Sequence, residues 1–210
     1  MTIIDVPQRS PEWFAARLGR LTASRASDML ATTVRGGEAA SRKNLRVQLV
    51  CERLTGQPQE EHFVNAAMQR GMDCEPQAFA AYEALTGNVA RTVGFIQHDA
   101  LLVGCSPDGL VDDDGVLELK CPNSATHLEY LKSKTVPDKY LPQLLHTLWV
   151  TERAYCDFVS FDDRFPSNLQ VFHVRMVRDD GAVAVYEKAA RAFLAEVEAD
   201  VLALMGAKVA

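Results

Sequence analysis

No stretch of the chain approaches the roughly 18 consecutive apolar residues that a membrane-spanning helix needs. The amino-terminal MTIIDVPQRS has no basic region followed by an apolar run, so no secretory signal is visible and a cytosolic protein is expected. Cysteine is scarce and unpaired. Cys51, Cys74, Cys105, Cys121 and Cys156 are odd in number and no two are spaced C-x-x-C, which argues against a structural zinc site and a disulfide framework. Most are expected to be small buried hydrophobes kept reduced. With 12 Gly and 9 Pro in 210 residues, and no internal repeat or low-complexity linker, collagen-like and largely disordered chains are excluded. The histidines (His62, His98, His127, His146 and His173) form no H-E-x-x-H pair, so each is expected to pack or to lie on the surface. An excess of positive charge is also missing, the net charge being −6.

What is present is an ordinary globular composition, 48% hydrophobic and 24% charged. A chain of this length can bury roughly 70% of its unfolded surface, enough for one sizeable core. One domain over 1–210 is expected: a helical part to about 87, a sheet-bearing core over about 88–177, and a closing helix over about 180–205. The net charge hides an uneven distribution. Residues 9–53 hold nine Arg or Lys against four acids. Phosphate contacts depend on the local field and not on the sum, so this segment is either a nucleic-acid face or a set of solvated helix faces.

Punctuation residues divide the chain into elements. Ser10 as cap, Pro11 at the first helical position, Glu12 in the first turn and Gly19 as stop predict a helix over 10–19. A second short helix follows Thr22 or Ser24, and Thr32–Gly37 reads as a mobile loop. A third helix is predicted over about 39–55, with Leu45, Leu49 and Leu54 apolar and Gly56 ending it. Residues 62–86 are helical in character and end at Gly87, with Gly71 and Pro76 predicting a break and a fresh start near Asp73. The texture then changes to strands: VARTVGF, LLVGC and VLELKC, with Asp113-Asp114-Gly115 read as a hairpin turn between the last two. Helical patterns return at about 125–133 and 138–152. The strands AYCDFVSF and LQVFHVRMV follow, and the long helix closes the chain. This order suits an α/β protein with helices on both sides of a small mixed sheet.

The chemically informative stretch runs from Ser106-Pro107-Asp108-Gly109 to Glu118-Leu119-Lys120. Residues i and i+2 of a strand share a face, so Glu118 and Lys120 point one way while Leu119 points to an apolar side. Folding the hairpin returns Asp108 beside them. Two carboxylates can bind Mg²⁺, with the Leu119 carbonyl as a further oxygen within reach. A lysine beside such an ion can orient water or help remove its proton. A metal so held supports phosphodiester hydrolysis. Equally, the same residues suit an edge strand with surface salt bridges.

The spacing resembles the PD-(D/E)xK nuclease signature, here Pro107-Asp108 and Glu118-x-Lys120. Its surroundings narrow the resemblance. WFAARLGRLTAS (13–24), Arg70-Gly71 through Glu75-Pro76 to Tyr82 and Thr86-Gly87, GCSPDGL, LELKCP, Tyr140 with Gln143, LLHTLWVT and the Tyr155–Phe161 strand stand in the order of the lambda exonuclease / YqaJ-type viral recombinase family. The blocks span 13 to about 165.

The resemblance implies a restriction-endonuclease-like three-layer core. It also implies that Asp108 and Glu118 are metal-binding carboxylates, that Leu119 contributes its carbonyl, and that Lys120 serves the nucleophilic water. Glu75 would join the site by holding Lys120 or a metal-bound water; by position alone it is a first-turn acid favoured by the helix dipole. Gln143 would orient water or phosphate. Arg17, Ser24 and Ser106 match a pocket for a terminal 5′-phosphate, a guanidinium fork with two hydroxyls. Trp13 would stack on or wedge against the duplex end, or serve as a buried anchor. The implied enzyme uses Mg²⁺, two ions with Mn²⁺ as a substitute, to hydrolyse one strand of duplex DNA 5′ to 3′. It releases mononucleotides and leaves a 3′ overhang for a single-strand annealing protein. A homotrimeric ring around DNA is implied by the same analogy, and a membrane is not.

Other readings fit less well. Asp112-Asp113-Asp114-Gly115 fails the calcium-loop register, because Gly115 as sixth residue puts Leu110 first and Cys121 twelfth. Gly104-Cys105-Ser106-Pro107-Asp108 is not G-x-S-x-G. Cys121 beside Lys120 has no charged partner evident in sequence to activate it. Two alternatives remain: an endonuclease of the restriction or repair type with the same core, and a DNA-binding module without catalysis.

Overall fold

The computed structural model describes residues 1–59 and 65–206. The chain opens with strand Thr2–Ile4 (β1), helix Pro11–Arg17 (α1), strand Leu21–Thr22 (β2), and helices Ala26–Leu30 (α2), Ala40–Thr55 (α3) and Ala66–Thr86 (α4). Five strands follow: Ala90–Arg91 (β3), Phe95–Gln97 (β4), Val103–Cys105 (β5), Gly109–Val111 (β6) and Gly115–Lys120 (β7). Helices Ser124–Ser133 (α5) and Leu141–Thr151 (α6), strands Tyr155–Phe161 (β8) and Val171–Val177 (β9), and helix Asp180–Gly206 (α7) complete it. His62 lies outside the described residues, as does the start of the helical stretch predicted from residue 62.

The helix boundaries follow local chemistry. Ser10 caps α1 by accepting the Trp13 amide at 3.2 Å, with Pro11 in the first turn. The α3 and α4 helices stop at Gly56 and Gly87, both in the left-handed conformation that glycine adopts without a Cβ clash. Contrary to the predicted break, α4 runs unbroken through Gly71 and Pro76. Proline removes one helix hydrogen bond. The buried stripe Cys74, Ala78 and Tyr82, packed with Leu117, Leu119 and Val159, holds the helix against the sheet on both sides of that defect. The Thr32–Gly37 loop is closed by Thr33 N–H to Gly37 C=O at 2.8 Å. Leu45 and Leu49 are buried, but Leu54 is exposed.

Two mixed sheets carry the strands, where one was expected. The larger has the order β3-β6-β7-β8-β9, with β7 and β8 parallel and the other pairs antiparallel. The smaller has the order β1-β4-β5-β2. Two strands differ from the sequence expectation. VARTVGF is not one strand: it divides into β3 and β4, in different sheets. The division falls beside Gly94, where a Cβ would meet the Val6 and Ile4 backbone, so the crossing requires glycine. The hairpin partner of β7 is β6, not LLVGC, which lies in the smaller sheet as β5. Asp112–Asp114 is the exposed turn of that hairpin, and Arg153 caps it by donating to the carbonyls of Asp112 at 3.0 Å and Gly115 at 2.8 Å.

The larger sheet is the middle layer of three. Leu117, Leu119, Val159 and Phe161 face α4. Val116, Cys156 and Phe158 face the other way, in the core with Leu144 and Leu148 of α6 and Phe193 of α7. Burying each such side chain contributes about 1.5–3 kcal/mol, so the near-continuous apolar run of β7 makes it a central strand. Three of the four basic residues of α3 have a structural use. Arg42 pairs with Glu38 and Glu196, Arg46 with Glu38, Glu196 and Asp200, and Arg53 with Glu198. They clamp α3 to α7 instead of forming an open phosphate face. Among the described residues no helix is long and apolar enough to cross a membrane.

Candidate active site

The carboxylates and lysine of the Asp108–Lys120 stretch converge. The β6–β7 register pairs Gly109 with Leu117, which sets Asp108 beside Glu118 on the face of the sheet that α6 covers. The Asp108 amide donates to the Leu117 carbonyl at 3.0 Å, and the Leu119 amide donates to Asp108 Oδ2 at 2.6 Å. Glu118 is 3% exposed, and its Oε1 accepts from both Lys120 Nζ and Gln143 Nε2, the latter at 2.5 Å. Lys120 also lies over the Tyr140 ring, 5.3 Å from its centroid.

Burial, and then the Glu118 charge, raise the Asp108 carboxyl well above its ordinary range. Burial alone would lower the Lys120 ammonium, but Glu118 and Asp108 outweigh it and hold the group protonated. Asp108 and Glu118 together outnumber the single ammonium of Lys120, a negative excess that a cation would relieve. The Leu119 carbonyl suits the same role. Continuing the β6–β7 register places Pro107 opposite Leu119, and proline has no N–H to offer that carbonyl. Among the described residues no group of three or more His, Cys, Asp or Glu side chains could hold a metal ion. Two carboxylates and a backbone oxygen would suit a hard cation such as Mg²⁺ only if water and substrate phosphate completed the set.

A second cluster adjoins the first through two residues of chain. Arg17 lies 4.0 Å from the Trp13 ring centroid and reaches Ser106 Oγ at 3.5 Å and Ser24 Oγ at 3.4 Å. Trp13 Nε1 donates to Ser106 Oγ at 2.9 Å. The Trp13 ring thus supports the arginine. Among the described residues no carboxylate is paired with Arg17, and burial lowers its pKa to about 10. It stays cationic at neutral pH. Arg17, Ser24, Arg20 and Thr22 line a pocket of about 350 Å³. The turn after α1 is held to α3 by Glu52, which accepts the Gly19 amide at 2.8 Å, and by Arg53, which donates to the Gly19 carbonyl at 2.9 Å.

Of the two contacts expected of Glu75, with Lys120 or with a metal-bound water, the first is not formed. Glu75 shares a cleft of about 450 Å³ with Asp108, Asp5 and Gln8, but its carboxylate pairs with Arg9 at 2.9 Å. The lysine turns to Glu118 because it sits two residues away on the same strand face, whereas α4 lies against the opposite face. Sequence reasoning assigned no role to Gln8 and Arg9. Gln8 Nε2 donates to Val93 O at 2.9 Å and Pro107 O at 3.0 Å, pinning the residue before Asp108. Arg70 likewise holds the end of β7, donating to Pro122 O at 3.2 Å and to Asp162 and Asp163. Only the family block containing Arg70 drew attention to it.

The tempting side groups are inert. Burial pushes the Cys121 thiol up to about 12. His127 is buried against Ser160 and Leu169, and His146 against Tyr186 and Gly104.

A comparison with curated proteins gives no match. The YqaJ-like viral recombinase domain matches residues 12–154. Among solved structures, an alkaline exonuclease from Laribacter hongkongensis, LHK-Exo, is 45% identical, with 93% of this chain and 96% of that chain covered at a TM-score of 0.84. LHK-Exo in complex with dAMP gives the same values. A phage-related exonuclease from Haemophilus somnus, 14% identical over 89% of this chain and 96% of that chain at a TM-score of 0.69, shares the fold. The matched span encloses every residue of both clusters, and the 45% identical enzyme carries the same layers around them. The chain belongs to the YqaJ-like viral recombinase domain family, a membership that supports a nuclease role.

Proposed function

We propose that the chain is a Mg²⁺-dependent exonuclease that degrades one strand of duplex DNA from the 5′ end. It releases mononucleotides and leaves a 3′ overhang. The observation that carries this reading is the adjacency of the two clusters: Ser106 belongs to the arginine pocket and Asp108 to the carboxylate pair. Two residues apart along the chain, their Cα atoms can be no more than about 7 Å apart. A terminal phosphate held by Arg17, Ser24 and Ser106 sets the next phosphate of the strand beside Asp108 and Glu118, so each cut frees one nucleotide. The dAMP complex of the 45% identical LHK-Exo agrees in chemistry, dAMP being a deoxynucleoside monophosphate.

Asp108, Glu118 and the Leu119 carbonyl would hold the cation; by the family resemblance two ions would take part, and Mn²⁺ would substitute. When bound, Mg²⁺ supplies charge neutralisation at the phosphate and a lowered pKa for the attacking water. The Lys120 ammonium would orient that water; it could take the water's proton only as a neutral amine, after its contact with Glu118 opens and its own proton has passed to solvent. Gln143 fixes the rotamer of Glu118, and Gln8 fixes the chain before Asp108. Arg17 supplies selectivity for an end that carries a phosphate. By family analogy we further propose a trimeric ring around the duplex and transfer of the overhang to a single-strand annealing protein.

The deciding measurement compares linear duplexes labelled at either terminus with a covalently closed circle, each with Mg²⁺. Release of mononucleotide from the 5′ label first, with the circle left intact, is expected. Cutting of the circle would replace this reading with an endonuclease of the same core. No release from any substrate, together with retained DNA binding, would leave a binding module.

A further inference from the structure

Arg9 stands in the left-handed region, at φ 70°, which L residues other than Asn or Asp seldom occupy. A strained backbone that persists at a cleft invites the question of what its side chain does. Here the guanidinium reaches across to α4 and pairs with Glu75 at 2.9 Å. Its neighbour Gln8 is fastened to Val93 and Pro107, so the segment that presents Arg9 is anchored to the chain that presents Asp108. The cleft beside the pair is lined by the carboxylates Asp5, Glu75 and Asp108, and the Arg9 guanidinium meets Glu75. With side chains 50% and 34% exposed, the pair is the kind that contributes little to stability and opens without unfolding.

We propose that Arg9 is a positioning residue that competes with a divalent cation for Glu75. While the ion pair stands, Glu75 is held at the rim of the cleft. When it opens, Glu75 becomes available to a cation, or to its water, in the space shared with Asp108. This rests on the reading of Asp108 and Glu118 as a cation site.

The test is Mn²⁺ binding by calorimetry, without DNA, alongside thermal melting. The proteins are the full chain, Arg9→Gly, Arg9→Gln, Glu75→Gln and the Arg9→Gly/Glu75→Gln double variant. Glycine adopts the left-handed backbone freely, so Arg9→Gly should melt no lower than the parent. It should bind Mn²⁺ about two- to five-fold more tightly, the equilibrium equivalent of an exposed ion pair. Arg9→Gln should follow it in affinity, and in the Glu75→Gln background the gain should vanish. Unchanged affinity in both Arg9 variants, or a gain that survives in the double variant, overturns the competition and leaves the cation site standing. Absence of Mn²⁺ binding by the parent chain overturns the cation site itself, and this inference with it.

Discussion

The Leu119 amide donates to Asp108 Oδ2 at 2.6 Å, and this one bond organises the site. The β6 strand begins at Gly109, and Pro107 stands where the ladder would continue. The Asp108 side chain takes over that ladder position, so the carboxylate is held by the strand that bears Glu118 and Lys120. Among the described residues no donor to Oδ1 is found, and in the proposed reading that oxygen would face the cation. A functional group is thus fixed by the same hydrogen bonding that builds the sheet.

Lys120→Ala should still bind duplex DNA but lose hydrolysis by at least about 100-fold, the range for a positioned proton-transfer group. Electrophoretic binding and single-turnover release, measured together, check this. Substantial residual hydrolysis would remove Lys120 from the chemistry.

Arg17→Ala should abolish the preference for a 5′-phosphorylated over a 5′-hydroxyl end. The Trp13–Ser106 bond at 2.9 Å does not depend on the guanidinium, so the fold around the pocket should persist. The measurement is the ratio of initial rates on the two substrates; an unaltered ratio would show that the pocket does not read the terminus.

Stability should fall on mild acidification because of His146. The Gly104 carbonyl can only accept, so His146 Nε2–H donates to it at 3.1 Å, and Nδ1 accepts the Tyr186 hydroxyl at 2.8 Å. Burial lowers this imidazole to about 3, whereas the unfolded chain takes up the proton near 6.5. Between those values the unfolded state binds more protons. The native state therefore loses about 1.4 kcal/mol per pH unit as pH drops below about 6.5. Denaturant unfolding of the parent and His146→Gln from pH 7 to pH 4 should show a steeper slope for the parent. Parallel slopes would contradict the assignment.

Asp157→Ala should destabilise the protein by about 1–3 kcal/mol, the range for leaving a buried group without its hydrogen-bond partner. Asp157 is fully buried in β8. Despite that burial, bidentate Arg175 at 2.8 Å, His173 and the Tyr82 hydroxyl at 2.7 Å hold its carboxyl well below the usual range. Removing it leaves three groups without their acceptor. Urea unfolding measures this, and a loss under about 1 kcal/mol would mean that the cluster relaxes into water.

Local chemistry was enough to foresee much of this molecule. Ser10 and Pro11 start a helix and Gly56 and Gly87 end two, because capping and left-handed turns are properties of single residues and their nearest neighbours. Strand alternation placed Glu118 and Lys120 on one face and Leu119 on the other, and the hairpin brought Asp108 back to them. What it could not decide depends on partners distant in sequence. The crossing of the chain at Gly94 is set by the backbone of residues 4–6, so VARTVGF reads as one strand until that approach is known. Pro76 reads as a break until the sheet that holds its helix is in place. The charges of α3 read as a candidate phosphate face until α7 supplies Glu196, Glu198 and Asp200. Glu75 went to Arg9 and Gln143 to Glu118 because side-chain partners are chosen by distance and direction in the packed state. The residue types and short spacings of this chain determined which groups could do the chemistry. Only the tertiary structure decided which of them meet, because hydrogen bonds and ion pairs act over a few ångströms of space and are indifferent to separation along the chain.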